Sequence, residues 1–294
     1  MATWNEILKE IGETPSQIDY VRRQYIKKLS FLTNRNTIIY YSGFLEPRIQ
    51  QNSLNISIGD QDMEGFMAAV HGLDCSKGLD LVLHTPGGDP TAAEAIVQYL
   101  KEKFNNDIRI IVPQIAMSAG TMIACCGKEI IMGKQSSLGP IDPQFQGIPA
   151  YNILLEYLEA KEDLEKNPQN ANYWAIKLQQ YPAAFMKTCI DAISLSEELV
   201  EAWLSDNMLK EEEKDQIKKT VKFLNSHDDS KSHGRHFNYK LCKENGLKIK
   251  LLEEDQEFQD AVLSLHHSTM LTFDRTECVK IIENQDGQAY VAFR

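Results

Sequence analysis

The chain has 294 residues, 43% hydrophobic and 25% charged, the composition of a globular protein long enough to bury a sizeable core. Its formal net charge of −11 repels phosphate backbones, so nucleic-acid binding is not expected. No run reaches the ~18 apolar residues of a membrane span, and the polar, amphipathic start "MATWNEILKEIGETPSQ" is no signal peptide, so a cytoplasmic protein is expected.

Residues 4 to about 32 read as helix: Trp4, Ile7, Leu8 and Ile11, then Ile18, Val21, Ile26 and Leu29, fall near helical spacing, with Pro15 dividing the arm. "NTIIYYSGF" (36–44) is β-branched and aromatic and reads as a strand. Asp60 is the predicted cap of a helix over "DQDMEGFMAAVHGL". "GLDLVLHTPGGDP" (78–90) is a buried strand that ends in a glycine turn, followed by a helix over 91–104 with Thr91 or Asp89 as its cap. "DIRIIVP" (107–113) is the next strand, then a helix opening near Ser118, then a strand over 128–134. From about 150 to 225 the pattern is helical, with Leu199, Ala202, Trp203, Met208 and Leu209 on one side of the clearest piece. A polar loop (228–240) leads to a helix end, a capping Gly246 and a short strand, and "NQDGQ" near the C-terminus marks a hairpin. The six cysteines form no C-x-x-C, and the adjacent Cys125 and Cys126 are expected to be reduced core residues.

Alternation of strand and helix from 36 to 134 predicts an α/β fold with largely parallel strands. Such strands bring their C-terminal ends to one sheet edge, where sites in this class lie. Two segments meet that description. Gly87 and Gly88 follow one strand directly and expose backbone N–H groups that can hold an oxyanion. Ser118 follows the next strand and opens a helix, with Ala116, Ala119 and Gly120 leaving room for a substrate carbonyl and the Ala119 N–H beside it. A serine hydroxyl needs a base to act at neutral pH. His84, just before the glycine turn, is either a cleft residue or a buried one. His233 and His236, with His266 and His267, lack acidic partners at ligand spacing, so no metal is expected.

"TPGGDPTAAEAI" followed by "AMSAGTMIACCG" resembles the Clp/crotonase superfamily, in particular the Clp-type serine peptidases and signal-peptide peptidase A. With "SSLGPIDPQ", "SHGRHFNYKLCKENGL" and "FDRTECVKIIEN", the set looks like the serine dehydrogenase proteinase family, whose apolar N-terminal anchor has no counterpart here. The resemblance implies a Clp/crotonase-like fold with an N-terminal helical arm (1–35), a peptidase domain (36–252) carrying a helical insertion (about 150–225), and a C-terminal extension with hairpin (253–294). It implies a Ser–Asp–His triad of Ser118, Asp142 and His233, an oxyanion site at Gly87 or Gly88 with Ala119, a peptide or protein substrate, no cofactor, and a homo-oligomer. His236 and His227 are second choices for the base, and a lysine base would fall to Lys161, Lys166 or Lys177. An acyl-CoA hydratase-like enzyme and a non-catalytic assembly protein are the other functions such a fold carries.

Overall fold

The β-branched runs of the sequence line up as the core of one sheet. The computed structural model describes residues 18–50, 56–210, 214–225 and 231–293. In its first half the chain runs α1 (Ile18–Thr33), β1 (Asn36–Ser42), α2 (Asp62–Val70), β2 (Leu79–His84), α3 (Pro90–Phe104), β3 (Ile108–Val112), β4 (Ile115–Ala116), α4 (Ala119–Ala124), β5 (Ile130–Met132) and β6 (Ser137–Leu138). It continues through β7 (Gln144–Phe145), β8 (Ile148–Pro149), α5 (Ala150–Lys166), α6 (Ala171–Leu178), α7 (Phe185–Asp206) and α8 (Lys214–Asn225). The last part is β9 (Phe237–Asn238), α9 (Tyr239–Glu244), β10 (Ile249–Leu251), α10 (Gln256–Arg275), β11 (Cys278–Asn284) and β12 (Ala289–Phe293).

The main sheet has seven strands in the order β10-β5-β3-β2-β1-β11-β12. The first five are mutually parallel, and the β11–β12 hairpin adds antiparallel beside β1. This is a mixed α/β fold around a mostly parallel sheet. Alternate strand residues serve opposite faces. Ile38, Tyr40, Leu81, Leu83, Ile110 and Val112 join a core with α2, α3, α4, α7 and α8. Ile39, Tyr41, Val82 and Ile111 join a second core with α1 and α10. The β2–α3–β3 crossover shows why the local sequence folds this way. Asp89 accepts the Thr91 N–H at 2.8 Å, Pro90 supplies a pre-set first turn, and Asn105 ends the helix at φ 49°. Ala92, Ala93, Ile96, Val97, Leu100 and Phe104 form its buried stripe. Among the described residues, no helix is long and apolar enough to cross a membrane.

The predicted helix over 4–32 lies outside the described residues as far as position 17, and its remainder is α1. The predicted Asp60 cap is corrected. α2 starts at Asp62, Gln61 holds the cap position without capping the helix through its side chain, and it is Asp62 whose carboxylate accepts the Gly59 N–H at 3.0 Å. α10 has no counterpart in the sequence reading. Its buried face includes Ser264, His266, Ser268, Thr269 and Thr272, which blur the apolar period. Those hydroxyls turn back on their own helix: Thr269 donates to Leu265 O at 2.8 Å and Thr272 to Ser268 O at 3.0 Å. α1 is tied to this layer by buried Arg22, which donates to Glu283 at 2.7 Å and to the Thr272 hydroxyl at 3.0 Å.

His84 lies on the α10 side of the sheet, fully buried. Its ring sits 4.9 Å from Phe44, 5.3 Å from Tyr41 and 5.2 Å from His266. Among the described residues neither of its nitrogens makes a well-formed hydrogen bond, though the Ile115 backbone lies near. Burial therefore pulls His84 down to about 3, the Ile115 backbone offsetting it only in part, and holds His266 well below the ordinary histidine value, with His84 and His267 adding to the effect. The folded protein keeps both rings neutral, whereas the unfolded chain protonates them below about 6.5. Their contribution to stability is thus complete above that pH and is lost as pH falls towards 3. Urea unfolding of His84→Phe should show a shallower loss of stability between pH 6.5 and 4.5 than wild type, by up to about 1.4 kcal/mol per pH unit. Parallel curves for the two proteins would contradict this.

Candidate active site

Two adjacent chain segments leave the parallel edge of the sheet and are stitched together at once. The Thr85 N–H donates to Ile115 O at 3.1 Å, and the Met117 N–H donates to Thr85 O at 3.1 Å. β4 therefore runs parallel to the end of β2, with Ala116 bridged to Thr85. The chain must then turn sharply into α4. It does so at Ser118, with φ 51° and ψ −121°, and the Gly120 N–H closes the turn on Met117 O at 2.7 Å. A non-glycine residue at positive φ is costly, and such strain gathers at functional sites. Thr121 braces the turn by donating to Ala116 O at 2.8 Å and accepting the Gly139 N–H at 2.9 Å.

The glycine pair is required on both flanks. A Cβ on Gly87 would lie 2.6 Å from the Ser118 Cβ and 2.7 Å from Met117 O. One on Gly88 would lie 2.4 Å from the Ile58 N and O atoms. Ile58 donates to Gly87 O at 2.8 Å and accepts the Asp89 N–H at 3.0 Å. The Gly87 N–H is taken by Thr85 Oγ1 at 3.2 Å. Among the described residues, the N–H groups of Gly88 and Ala119 have no acceptor. Of the two glycines in the turn, then, Gly88 has the unoccupied donor.

Asp142 and His233 come together although 91 residues separate them, with Nδ1 and Oδ1 at 2.8 Å. Two neighbouring strands close that gap. β6 leads to Asp142, and β9 follows the His233 loop and pairs antiparallel with β6. Ser137 on β6 also bonds His236 Nδ1 at 2.7 Å, which anchors the far end of the loop. Asp142 is held on both sides, since the Ile141 N–H donates to Leu224 O and Pro143 O accepts the Ala150 N–H, each at 2.9 Å. Its carboxylate is buried at 3% exposure, and Oδ2 accepts from Gln144 Nε2 at 2.8 Å. The His233 ring remains 28% exposed.

Ser118, Gly88, Ala119 and His233 line one cavity of about 880 Å³, walled on the far side by Asn152 of α5 and Ser196 of α7. Lys161, Lys166 and Lys177 are not among its lining residues. Lys166 lies near Glu162 on its own helix, and Lys177 pairs with Glu156 at 2.5 Å. His227 lies outside the described residues. Sequence reasoning missed Lys231, which lines the cavity from the His233 loop, and Gln144 and Ile58, which hold the carboxylate and the glycine turn. Only Gln144 carried a signal, two residues after Asp142. Among the described residues no three His, Cys, Asp or Glu side chains are grouped so as to hold a metal ion.

The fold and this site define an α/β protein with a serine on a strained strand–helix turn and, beside the same cavity, a histidine paired with a buried aspartate. A family model described as ClpP-like SDH-type serine proteinase matches residues 52–231, more than half of the chain. The chain belongs to this family. Two uncharacterized proteins of Methanocaldococcus jannaschii are similar to it. MJ0137 is 42% identical over 94 residues, 32% of either chain, and MJ1495 is 39% identical over 102 residues, 35% of either chain. The chain thus spans about a third of the length of these curated relatives.

The turn geometry has a consequence for stability. At φ 51° alanine carries the steric cost that glycine escapes. Ser118→Gly should therefore unfold in urea with about 1 kcal/mol more stability than Ser118→Ala. Equal stability of the two variants would mean that the turn stores no strain.

Proposed function

We propose that the protein hydrolyses peptide bonds through an acyl-enzyme on Ser118, with His233 as general base and Asp142 as its orienting carboxylate. The observation that carries this reading is the 2.8 Å Asp142–His233 pair, whose ring lines the cavity into which Ser118 faces. With Nδ1 engaged on Asp142, Nε2 is the nitrogen left to take a proton. Ser118 Oγ attacks the substrate carbonyl carbon as its proton passes to Nε2. The oxyanion of the tetrahedral intermediate is held by the N–H groups of Gly88 and Ala119, while Gly87 allows the close approach of the two turns. Collapse of the intermediate breaks the C–N bond, and His233 gives its proton to the departing amine. Water then attacks the acyl-Ser118 ester, again with His233 as base, and releases the acid and the free serine. Buried Asp142 stabilises the imidazolium formed in each half.

Among the described residues, those lining the cavity include no Asp or Glu, which favours this reading over a hydratase-like one. The finer fold assignment is Clp/crotonase-like, with α5–α8 as the helical insertion. Wild type should react with a fluorophosphonate at Ser118, and Ser118→Ala should neither label nor hydrolyse peptide. His233→Ala and Asp142→Asn should each lose on the order of 10²-fold or more in kcat/KM. Wild-type activity in His233→Ala would remove histidine from the mechanism.

The protein is further read as a homo-oligomer. Exposed Leu158, Tyr173 and Ile176, at 56%, 59% and 74%, support a contact through the helical region. Sedimentation at micromolar concentration should give a mass well above the 33.5 kDa of one chain, and a 33.5 kDa species alone would refute the assembly.

A further inference from the structure

The buried ammonium of Lys280 has no part in the chemistry described above. Lys280 on β11 and Asp62 at the start of α2 are each 1% exposed, and a fully buried lysine is rare unless it is paired. Nζ donates to Asp62 Oδ1 and to Ser57 O, both at 2.7 Å. The other carboxylate oxygen, Oδ2, accepts the Tyr40 hydroxyl at 2.6 Å and the Gly59 N–H at 3.0 Å. One ion pair therefore grips the backbone on either side of Ile58: the cation takes the carbonyl before it and the anion takes the amide after it.

Ile58 is the residue against which the glycine turn is built. It donates to Gly87 O at 2.8 Å and accepts the Asp89 N–H at 3.0 Å, so Gly88 is bonded on both flanks. The approach leaves no slack, since a Cβ on Gly88 would sit 2.4 Å from the Ile58 backbone. The free N–H of Gly88 points where it does because the bonds on its two sides point to Ile58. An apolar pair between β11 and α2 would join the two elements equally well and without the desolvation cost of two buried charges. It would not hold Ser57 O and Gly59 N–H.

We infer that the Lys280–Asp62 pair is a positioning device for the oxyanion turn, acting through Ser57, Ile58 and Gly59 on the N–H of Gly88. The inference rests on the peptidase reading of the site. Lys280 touches no reacting atom, and its effect falls on the step in which negative charge develops, not on binding. A displacement of the donor by about 1 Å is enough to cost on the order of 10²-fold in rate.

The test uses the full chain and a fluorophosphonate probe, with inactivation resolved into a saturation constant and a maximal rate, and amide exchange followed over 56–62 and 86–89. Lys280→Met removes the cation. Because a lone buried carboxylate can unfold the protein, a second variant, Tyr40→Phe/Asp62→Leu/Lys280→Met, replaces the whole polar cluster by apolar groups of similar shape. Arg22→Met breaks a different buried pair and serves as the control for lost stability. The expected result is a maximal rate about 10-fold or more below wild type in the triple variant, a saturation constant within about twofold, and faster exchange at the Ile58 and Asp89 amides. Arg22→Met should melt earlier yet label at the wild-type maximal rate. A wild-type maximal rate in the triple variant overturns the inference, whatever the exchange does. An equal slowing in Arg22→Met also overturns it, because the effect would then follow stability alone. If wild type does not label, or Ser118→Ala labels as fast as wild type, the peptidase reading has failed and the positioning role falls with it.

Discussion

Two backbone turns meeting closer than side chains allow is the constraint on which the rest of the molecule depends. Gly87 lies so near Ser118 that a methyl group would close the gap to 2.6 Å. That contact requires β2 and the β4 segment to end side by side, which the two Thr85 backbone bonds secure. It requires Ser118 to adopt a backbone conformation that an L-residue resists. It also requires a wall behind the glycine turn, which Ile58 provides. The parallel sheet, the crossover helix α3 and the brace through Thr121 are the means of holding these pieces at that distance.

The order of Asp142 and His233 along the chain poses a geometric problem, because the histidine arrives from a distant loop. The small sheet β4-β6-β9 solves it. β4 delivers Ser118, β6 delivers Asp142 and β9 follows His233, so adjacent strands in space replace neighbours in sequence. The helical region contributes in a second way. α5 and α8 pin the backbone on either side of Asp142, so the wall of the cavity and the orientation of its carboxylate share the same supports.

Much of this was legible because buried parallel strands are continuous apolar runs. β1, β2, β3 and β5 fall within the predicted segments for that reason, and Ser118 stood out as a small residue between two such runs. The small sheet was not legible, since two-residue strands such as β4 and β9 are too short to show any period. α10 was hidden by hydroxyls that satisfy themselves on their own helix, so that a buried face reads as polar. Lys280 carries no local sign of burial in "CVKIIEN"; the positions of Asp62 and Ser57, over 200 residues earlier, make it internal. Composition reports how many charges a chain has; which of them are buried depends on contacts made across the fold.

The hairpin β11–β12 carries a consequence for how the molecule is made. β11 pairs directly with β1, and Lys280 reaches an aspartate 218 residues before it. During synthesis the parallel strands can form their crossovers early, but β1 keeps an unpaired edge until the hairpin has left the ribosome. The long loop that must close makes this pairing slow as well as late. The wall behind the glycine turn is therefore secured only after the crossovers, and a nascent chain holds Ser118 and its parallel strands before it holds the pair that grips Ser57 and Gly59.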